Sequence, residues 1–255
     1  MTKSLGFALA GLLAAASTAR ADLQTCGAAQ YDPSQYVCYD NNFLCPIVAG
    51  EGLSYCSGAC YSKYMYTCTN NVLTQLTPLA AGTPFTLTVT NPANTAVDGL
   101  SVDACNQRWN LGIETCSYCP TTGVECPLGN STVILAPDAS AGGSEPAMDV
   151  IVPGGQVVYL DPSGAVGYTQ AHSASIPTGS TQGGLAAYSG GGFVNLNSGG
   201  YGWVACPSTS SAGGSGGYTL FAVDSANQAT LASCTPINLK VNVQPSGTVG
   251  AWQYT

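Results

Sequence analysis

The sequence has few charged side chains, and most of those it has are acidic. Asp, Glu, Lys and Arg make up 7% of the 255 residues, with 13 acidic and 5 basic side chains, whereas ordinary soluble proteins have about 25% charged residues. A surface so poor in cations repels phosphate backbones, which argues against nucleic acid as a partner. Solubility must come from Ser, Thr, Asn, Gln and Gly, as is typical of extracellular proteins.

The sequence also lacks a recognisable catalytic or metal-binding pattern. Residues 213–217 have the Gly-x-Ser-x-Gly spacing of a hydrolase nucleophile elbow, but they lie in a Ser- and Gly-rich segment, and the chain's single histidine, His172, is in a polar loop. Thirteen carboxylates make some acidic pair unavoidable, yet no positioned acid–base pair of the glycosidase type is visible. We therefore predict a protein that is not an enzyme and that needs no cofactor and no metal.

Long apolar runs are absent after the first residues. Lys3, the apolar residues 5–16 and the small-x-small sequence at 19–21 predict a secretion signal over residues 1–21. This apolar run is shorter than the roughly 20 residues that a membrane span needs, and the C-terminal residues lack the hydrophobic tail of a GPI signal. We expect an exported protein without a membrane span, and its oligomeric state stays open.

Cysteine, in contrast, is abundant, and in an exported chain it predicts disulfides. The twelve residues are Cys26, Cys38, Cys45, Cys56, Cys60, Cys68, Cys105, Cys116, Cys119, Cys126, Cys206 and Cys234. Six precede residue 77 and six follow it, which predicts a disulfide-rich module over residues 22–77 and a second domain over residues 78–255. The spacing Cys116-Ser-Tyr-Cys119 could also belong to a zinc knuckle, but export and the absence of a nearby histidine favour disulfides.

Residues 26–73 contain the same short unit twice, thirty residues apart. The matching pairs are Cys26 and Cys56, Ala29 and Ala59, Tyr31 and Tyr61, Tyr36 and Tyr66, Cys38 and Cys68, and Asn41 and Asn71. Equivalent positions predict that each repeat closes its own loop through Cys26–Cys38 and Cys56–Cys68. Cys45 and Cys60 would then join the repeats, in one of fifteen pairings that six cysteines allow. Such bridges would stabilise a unit too small to rely on its core.

The module is rich in aromatic side chains, which predicts a carbohydrate-binding surface. Aromatic rings have an apolar face that can stack on a pyranose ring and, in tyrosine, a polar tip. The candidate binding residues are Tyr31, Tyr36, Tyr39, Phe43, Tyr55, Tyr61, Tyr64 and Tyr66. We expect the repeated tyrosines to pack over the disulfides, and Tyr39, Tyr55 and Tyr64 to be more exposed. The duplication also suggests two subsites along one polymer, which would add avidity.

From Phe85 onward the pattern predicts β-strands. Residues 85–90 alternate apolar side chains with Thr at period two, and further apolar segments follow, separated by Gly- and Pro-rich turns. No segment after the signal keeps helical periodicity. The predicted fold class is all-β: a small disulfide-rich module followed by an all-β domain, either a sandwich or a trefoil-like barrel. The sequon Asn130-Ser-Thr predicts a glycosylated, exposed loop.

The module resembles a fungal carbohydrate-binding module, family 52. The resemblance is carried by Cys26-Gly, Tyr36-Val-Cys38-Tyr-Asp, Phe43-Leu-Cys45-Pro46, Cys56-Ser-Gly-Ala-Cys60-Tyr61 and Tyr66-Thr-Cys68. Modules of this family are appended to endo-β-1,3-glucanases that act at the septum. The resemblance therefore implies binding to cell-wall polysaccharide, above all β-1,3-glucan. Residues 78–255 are too few for the large catalytic domain of those enzymes.

Residues 78–255 are similar to fungal secreted cell-wall proteins of the phialide-associated and IgE-binding group. The similarity is carried by residues 161–169, 202–207 and 218–222 and by Cys234, and it implies a Cys206–Cys234 disulfide and a non-enzymatic role in the wall. Together these features predict a secreted protein of the cell wall that binds polysaccharide. The alternatives are an accessory glucan-active enzyme with its site in residues 78–255, and an effector or allergen-like protein that binds a host partner.

Overall fold

The computed structural model describes residues 22–138, 145–196, 202–208 and 217–255, and in these ranges every regular element is a β-strand. The predicted all-β class is therefore confirmed. The secretion signal over residues 1–21 lies outside the described residues, as do all but the last residue of the Gly-x-Ser-x-Gly spacing. No helix long and apolar enough to cross a membrane occurs in the part of the chain that the structure describes.

Residues 22–77, which we call the module, form short antiparallel hairpins. The strands are β1 (Gln24–Cys26), β2 (Ala29–Tyr31), β3 (Tyr36–Tyr39), β4 (Phe43–Val48), β5 (Glu51–Gly52), β6 (Ser54–Cys56), β7 (Ala59–Tyr61), β8 (Tyr66–Thr69) and β9 (Val72–Gln75). Each repeat consists of two hairpins, β1–β2 with β3–β4 and β6–β7 with β8–β9. The repeated Asn41 and Asn71 lie in equivalent turns with φ of 52° and 63°, a left-handed conformation that Asn tolerates well.

Disulfides hold these hairpins together in the predicted pairs. Cys26–Cys38 and Cys56–Cys68 each tie the first hairpin of a repeat to the second, with Cα–Cα distances of 5.8 and 5.9 Å. Cys45–Cys60 joins the two repeats. Within residues 22–77 the buried apolar side chains are few, namely Cys26, Cys45, Cys56 and Tyr64. The disulfides therefore supply much of what a hydrophobic core would otherwise provide.

Residues 78–255, which we call the barrel region, contain longer strands. These are β10 (Pro84–Thr90), β11 (Val102–Cys105), β12 (Arg108–Leu111), β13 (Ser117–Tyr118), β14 (Ile134–Leu135), β15 (Ala147–Met148), β16 (Gln156–Leu160), β17 (Val166–Tyr168), β18 (Leu185–Ala187), β19 (Phe193–Asn195), β20 (Trp203–Pro207), β21 (Tyr218–Ala222), β22 (Thr235–Val243) and β23 (Gln253–Tyr254). Nine of the described strands pair in a closed antiparallel ring, in the order β12-β17-β16-β15-β14-β10-β22-β20-β21. The ring closes because β12 pairs with both β17 and β21, so the barrel alternative describes it better than two separate sheets.

Aromatic side chains fill the interior of the barrel region. The Phe193 ring lies 5.8 Å from that of Phe85, 5.8 Å from that of Trp109 and 5.5 Å from that of Trp203, measured between centroids. Strand β10 contributes to this core as its alternation predicts, with its apolar side chains buried and its Thr side chains partly exposed. Burial of this apolar surface is the main force that closes the ring.

Three more disulfides cross-link the barrel region. They are Cys105–Cys116, Cys119–Cys126 and Cys206–Cys234, the last being the pair that the resemblance implies. All twelve cysteines are thus bonded in pairs, so the Cys116–Cys119 spacing does not form a zinc knuckle. The predicted exposed loop is also present, because Asn130 is exposed although Thr132 of the same sequon is buried.

Candidate functional site

Three rings of the module form an aromatic cluster at the surface, made of Tyr39, Phe43 and Tyr55. The Tyr39 and Tyr55 rings are stacked with 5.8 Å between centroids and an interplanar angle of 22°, and the Phe43 ring lies 4.8 Å from that of Tyr55. All three side chains are partly exposed. The Tyr39 hydroxyl donates to the backbone oxygen of Leu53 at 3.0 Å, which fixes the orientation of its ring.

The local fold explains why these rings meet. Tyr39 lies directly opposite Phe43 in the β3–β4 ladder, and the Cys45–Cys60 disulfide brings β4 beside the second repeat, where Tyr55 lies opposite Cys60 in the β6–β7 ladder. The turn between β3 and β4 is Asp40-Asn41-Asn42, and all three residues are exposed. The aromatic cluster therefore has hydrogen-bonding carboxylate and amide groups at its edge, a combination suited to sugar rings and their hydroxyls.

None of the repeated tyrosines is buried. Tyr31, Tyr61 and Tyr66 are partly exposed, and Tyr36 is exposed at 39% of its surface. The Tyr31 hydroxyl donates to the side chain of Gln24 at 2.9 Å. The expectation that the non-repeated tyrosines are more exposed than the repeated ones is therefore wrong for Tyr36, which is more exposed than Tyr39 and Tyr55. A module made of thin hairpins has little interior in which to bury large rings.

The prediction that Tyr64 is one of the more exposed tyrosines is wrong, because only 8% of its surface is exposed. Its partner lies far along the chain in the barrel region: the Gly192 amide donates to the Tyr64 backbone oxygen at 2.9 Å. The Tyr64 hydroxyl donates to the Glu51 carboxylate at 2.7 Å. Burial, and after it the hydrogen bond to Glu51, raises the pKa of Tyr64 well above its usual range. Tyr64 thus belongs to the junction between the module and the barrel region.

Backbone contacts fix this junction. The Ser189 amide donates to the Thr77 oxygen at 3.0 Å, and the Leu79 amide donates to the Ala187 oxygen at 2.8 Å. The Gln75 side-chain amide donates to the Tyr188 hydroxyl at 3.0 Å. The segment that joins the two parts of the chain therefore runs along the β18–β19 hairpin instead of forming a free linker.

Replacing Gly192 by alanine is expected to loosen the junction. An added Cβ would lie 2.8 Å from the Tyr64 Cβ and 2.8 Å from the Leu239 backbone oxygen, so the backbone must shift and the cross-junction hydrogen bonds weaken. We expect the Gly192 and Ser189 amides to exchange with deuterium about tenfold faster than in the unchanged protein. Gly202→Ala is the control, because its Cβ would meet no atom within 4 Å. Unchanged exchange in Gly192→Ala would contradict the tight contact.

A cleft of about 400 Å³ opens beside this junction, and we call it the junction cleft. Residues 48, 51–53 and 62–65 form its module side, and residues 193–196, 202–203 and 238–239 form its barrel side. Most of these side chains are apolar, whereas Glu51 and Lys63 form an ion pair at the module side. The cleft was not predictable from the sequence, because its two sides are distant in the chain and share no motif.

Two carboxylates of the barrel region make structural contacts. Asp103 is buried and accepts a hydrogen bond from the Thr115 hydroxyl at 2.8 Å. Asp161 pairs with Arg108 at 2.8 Å. Burial raises the pKa of Asp149. Among the described residues no group of three or more His, Cys, Asp or Glu side chains could hold a metal ion.

Two family models match the chain. A family model described as "Carbohydrate binding" matches residues 25–73, and one described as "PhiA-like secreted protein" matches residues 85–255. These matches confirm a carbohydrate-binding domain and a PhiA-like secreted domain, and with them secretion. No solved structure matches the chain.

Two relatives match parts of the chain. The chain is 45% identical over 101 residues to an uncharacterized secreted protein of Arthroderma benhamiae, covering 39% of this chain and 48% of that protein. It is also 45% identical over 51 residues to the primary septum glucan endo-1,3-beta-D-glucosidase of Schizosaccharomyces pombe, covering 20% of this chain and 5% of that protein. The chain thus spans about half of the first relative and a small part of the second.

Proposed function

Because this chain belongs to the PhiA-like secreted protein family and also contains a carbohydrate-binding domain, we propose that it is a non-catalytic protein that attaches to fungal cell-wall polysaccharide. Its preferred ligand in this proposal is β-1,3-glucan. The aromatic cluster of the module binds the polymer by stacking on sugar rings. The barrel region contributes to wall structure or presents a surface.

The observation that carries the proposal is the aromatic cluster itself. Three partly exposed rings lie side by side on a scaffold held by disulfides, with the exposed polar turn at residues 40–42 beside them. Rigid rings cost little conformational entropy when they bind, and they bury a large apolar area against a ligand.

The choice of β-1,3-glucan is supported by one relative of the chain. The matching protein of Schizosaccharomyces pombe carries a name that specifies a glucan endo-1,3-beta-D-glucosidase, and the match covers a stretch of about the module's length. We infer that the module shares the ligand of that enzyme. The exposed Asn130 is proposed to carry an N-linked glycan, and residues 1–21 are proposed to be the secretion signal.

The proposal makes a prediction that separates binding from catalysis. The full secreted chain is expected to migrate at least threefold more slowly in native gels that contain the soluble β-1,3-glucan laminarin than in gels that contain hydroxyethylcellulose or glycol chitin. Incubation with laminarin is expected to release no new reducing ends. An endo-β-1,3-glucanase serves as the positive control for release. Steady release of reducing ends would favour the accessory-enzyme alternative, and equal migration in all gels would contradict the choice of ligand.

A further inference from the structure

We propose that the junction cleft is a second subsite for the same polysaccharide, in which one stretch of the polymer contacts the module and the barrel region together. This inference rests on the proposed function. In this proposal, residues of the barrel region contribute part of the binding free energy, so the isolated module would bind more weakly than the full chain.

The first support is that the cleft is built into the fold. Backbone hydrogen bonds from Gly192 to Tyr64 and from Ser189 to Thr77 hold its two sides in place. The buried Tyr64 lies against Gly192 so closely that a Cβ at that position would be 2.8 Å from the Tyr64 Cβ. The concave shape is therefore a property of the packed junction, and a ligand would meet a largely pre-formed surface.

The second support is the chemistry of the lining. The lining of the cleft presents apolar surface from Val48, Leu196 and Trp203. Val48 and Leu196 are exposed. Glu51 and Lys63 add a carboxylate and an ammonium group. A volume of about 400 Å³ lies in the range of roughly 300–1,000 Å³ that is usual for small-molecule sites.

This mixture favours a sugar over an apolar ligand. A pyranose ring has an apolar face for the hydrophobic surface and hydroxyl groups for Glu51 and Lys63, which form an ion pair at the module side. A purely apolar ligand would remove water from that ion pair without replacing its hydrogen bonds, which is unfavourable. The module side of the cleft also falls inside residues 25–73, the range that matches the carbohydrate-binding model.

The third support is a polar path that leaves the cleft across the barrel region. Asn238 of β22 lines the cleft and lies opposite Thr90 of β10, and the next pair along the same face is Lys240 with Thr88. The Asn242 side-chain amide donates to the Thr88 hydroxyl at 2.9 Å. Amide, ammonium and hydroxyl groups thus follow one another at the surface, so a linear polymer that leaves the cleft meets further partners for its hydroxyls.

The test uses the full chain and a tryptophan substitution at Gly202, which lines the cleft. A Cβ at Gly202 meets no atom of the described residues within 4 Å, so the position has room for a larger side chain. We expect Gly202→Trp to weaken binding of laminarin at least tenfold by isothermal titration calorimetry, because its side chain occupies the cleft. Leu128→Trp is the control, because it adds the same side chain at an exposed position outside the cleft, and it is expected to bind within about twofold of the unchanged protein.

Asn238→Ala provides a second, smaller test that does not depend on the folding of the tryptophan variant. We expect it to weaken laminarin binding about threefold, because the substitution removes one hydrogen bond between the Asn238 side chain and a neutral sugar hydroxyl. Suppose that the unchanged chain binds laminarin. If the Asn238→Ala variant and a folded Gly202→Trp variant then bind laminarin as tightly as the unchanged chain, the cleft is not a subsite. If the unchanged chain binds neither laminarin nor insoluble β-1,3-glucan, the proposed function itself is wrong, and this inference falls with it.

Discussion

Replacing Tyr39 and Tyr55 together by alanine is expected to weaken binding to β-1,3-glucan about 100-fold. The two rings are stacked and partly exposed, and we assign each about 1.4 kcal/mol of binding free energy, a factor of about ten in the dissociation constant. The single variants should each lose about tenfold. The measurement is a binding isotherm of the full chain on insoluble β-1,3-glucan, with circular dichroism to verify that the variants fold.

Tyr36→Ala is the matched control for this prediction. Tyr36 is an exposed tyrosine of the same module. Among the described residues, no ring contact joins Tyr36 to the aromatic cluster. We expect its removal to change binding by no more than about threefold. A loss at Tyr36 as large as the loss in the double variant would move the binding surface away from the aromatic cluster, to the face of β3 that carries Tyr36.

Removing the disulfide between the repeats, with Cys45→Ala and Cys60→Ala together, is expected to destabilise the module by about 3 kcal/mol. The bond closes a loop with a sequence separation of 15 residues, and chain-entropy estimates give about that value for such a loop. The few buried apolar side chains of the module cannot compensate. Chemical denaturation followed by tyrosine fluorescence, together with the glucan isotherm, measures both consequences.

Binding should be lost together with stability in this variant, because the bond holds Phe43 of the first repeat near Tyr55 of the second. The control removes Cys119–Cys126 from an exposed loop of the barrel region, a bond with a sequence separation of 7 residues. That variant should leave the unfolding of the module and glucan binding unchanged. Full glucan affinity in the Cys45→Ala, Cys60→Ala variant would show that the two repeats bind independently of each other.

Local features of this fold were predictable from the sequence. The equivalent cysteines of the two repeats gave the pairs Cys26–Cys38 and Cys56–Cys68, because a repeated spacing implies a repeated structure. The alternation of residues 85–90 gave strand β10, because successive side chains of a strand point to opposite faces. In each case the interaction that decides the structure lies within a short stretch of chain.

Long-range contacts were not predictable. Closure of the ring depends on β12 pairing with β17 and β21, and no pattern in these strands specifies such partners. Tyr64 is buried by Gly192, a residue in a run of glycines that the sequence suggested only as a turn. A tyrosine therefore cannot be assigned to a binding surface or to a junction until the residue that packs on it is known. The junction cleft was missed for the same reason.

We propose that a disulfide-held aromatic surface attaches this protein to wall glucan. The decisive experiment is co-sedimentation of the purified full chain with insoluble β-1,3-glucan, chitin and cellulose, before and after reduction of the disulfides. We expect saturable binding to β-1,3-glucan above the other two polymers, and loss of that binding after reduction. Absence of binding to all three polymers, or glucan binding that persists in the fully reduced chain, would contradict it.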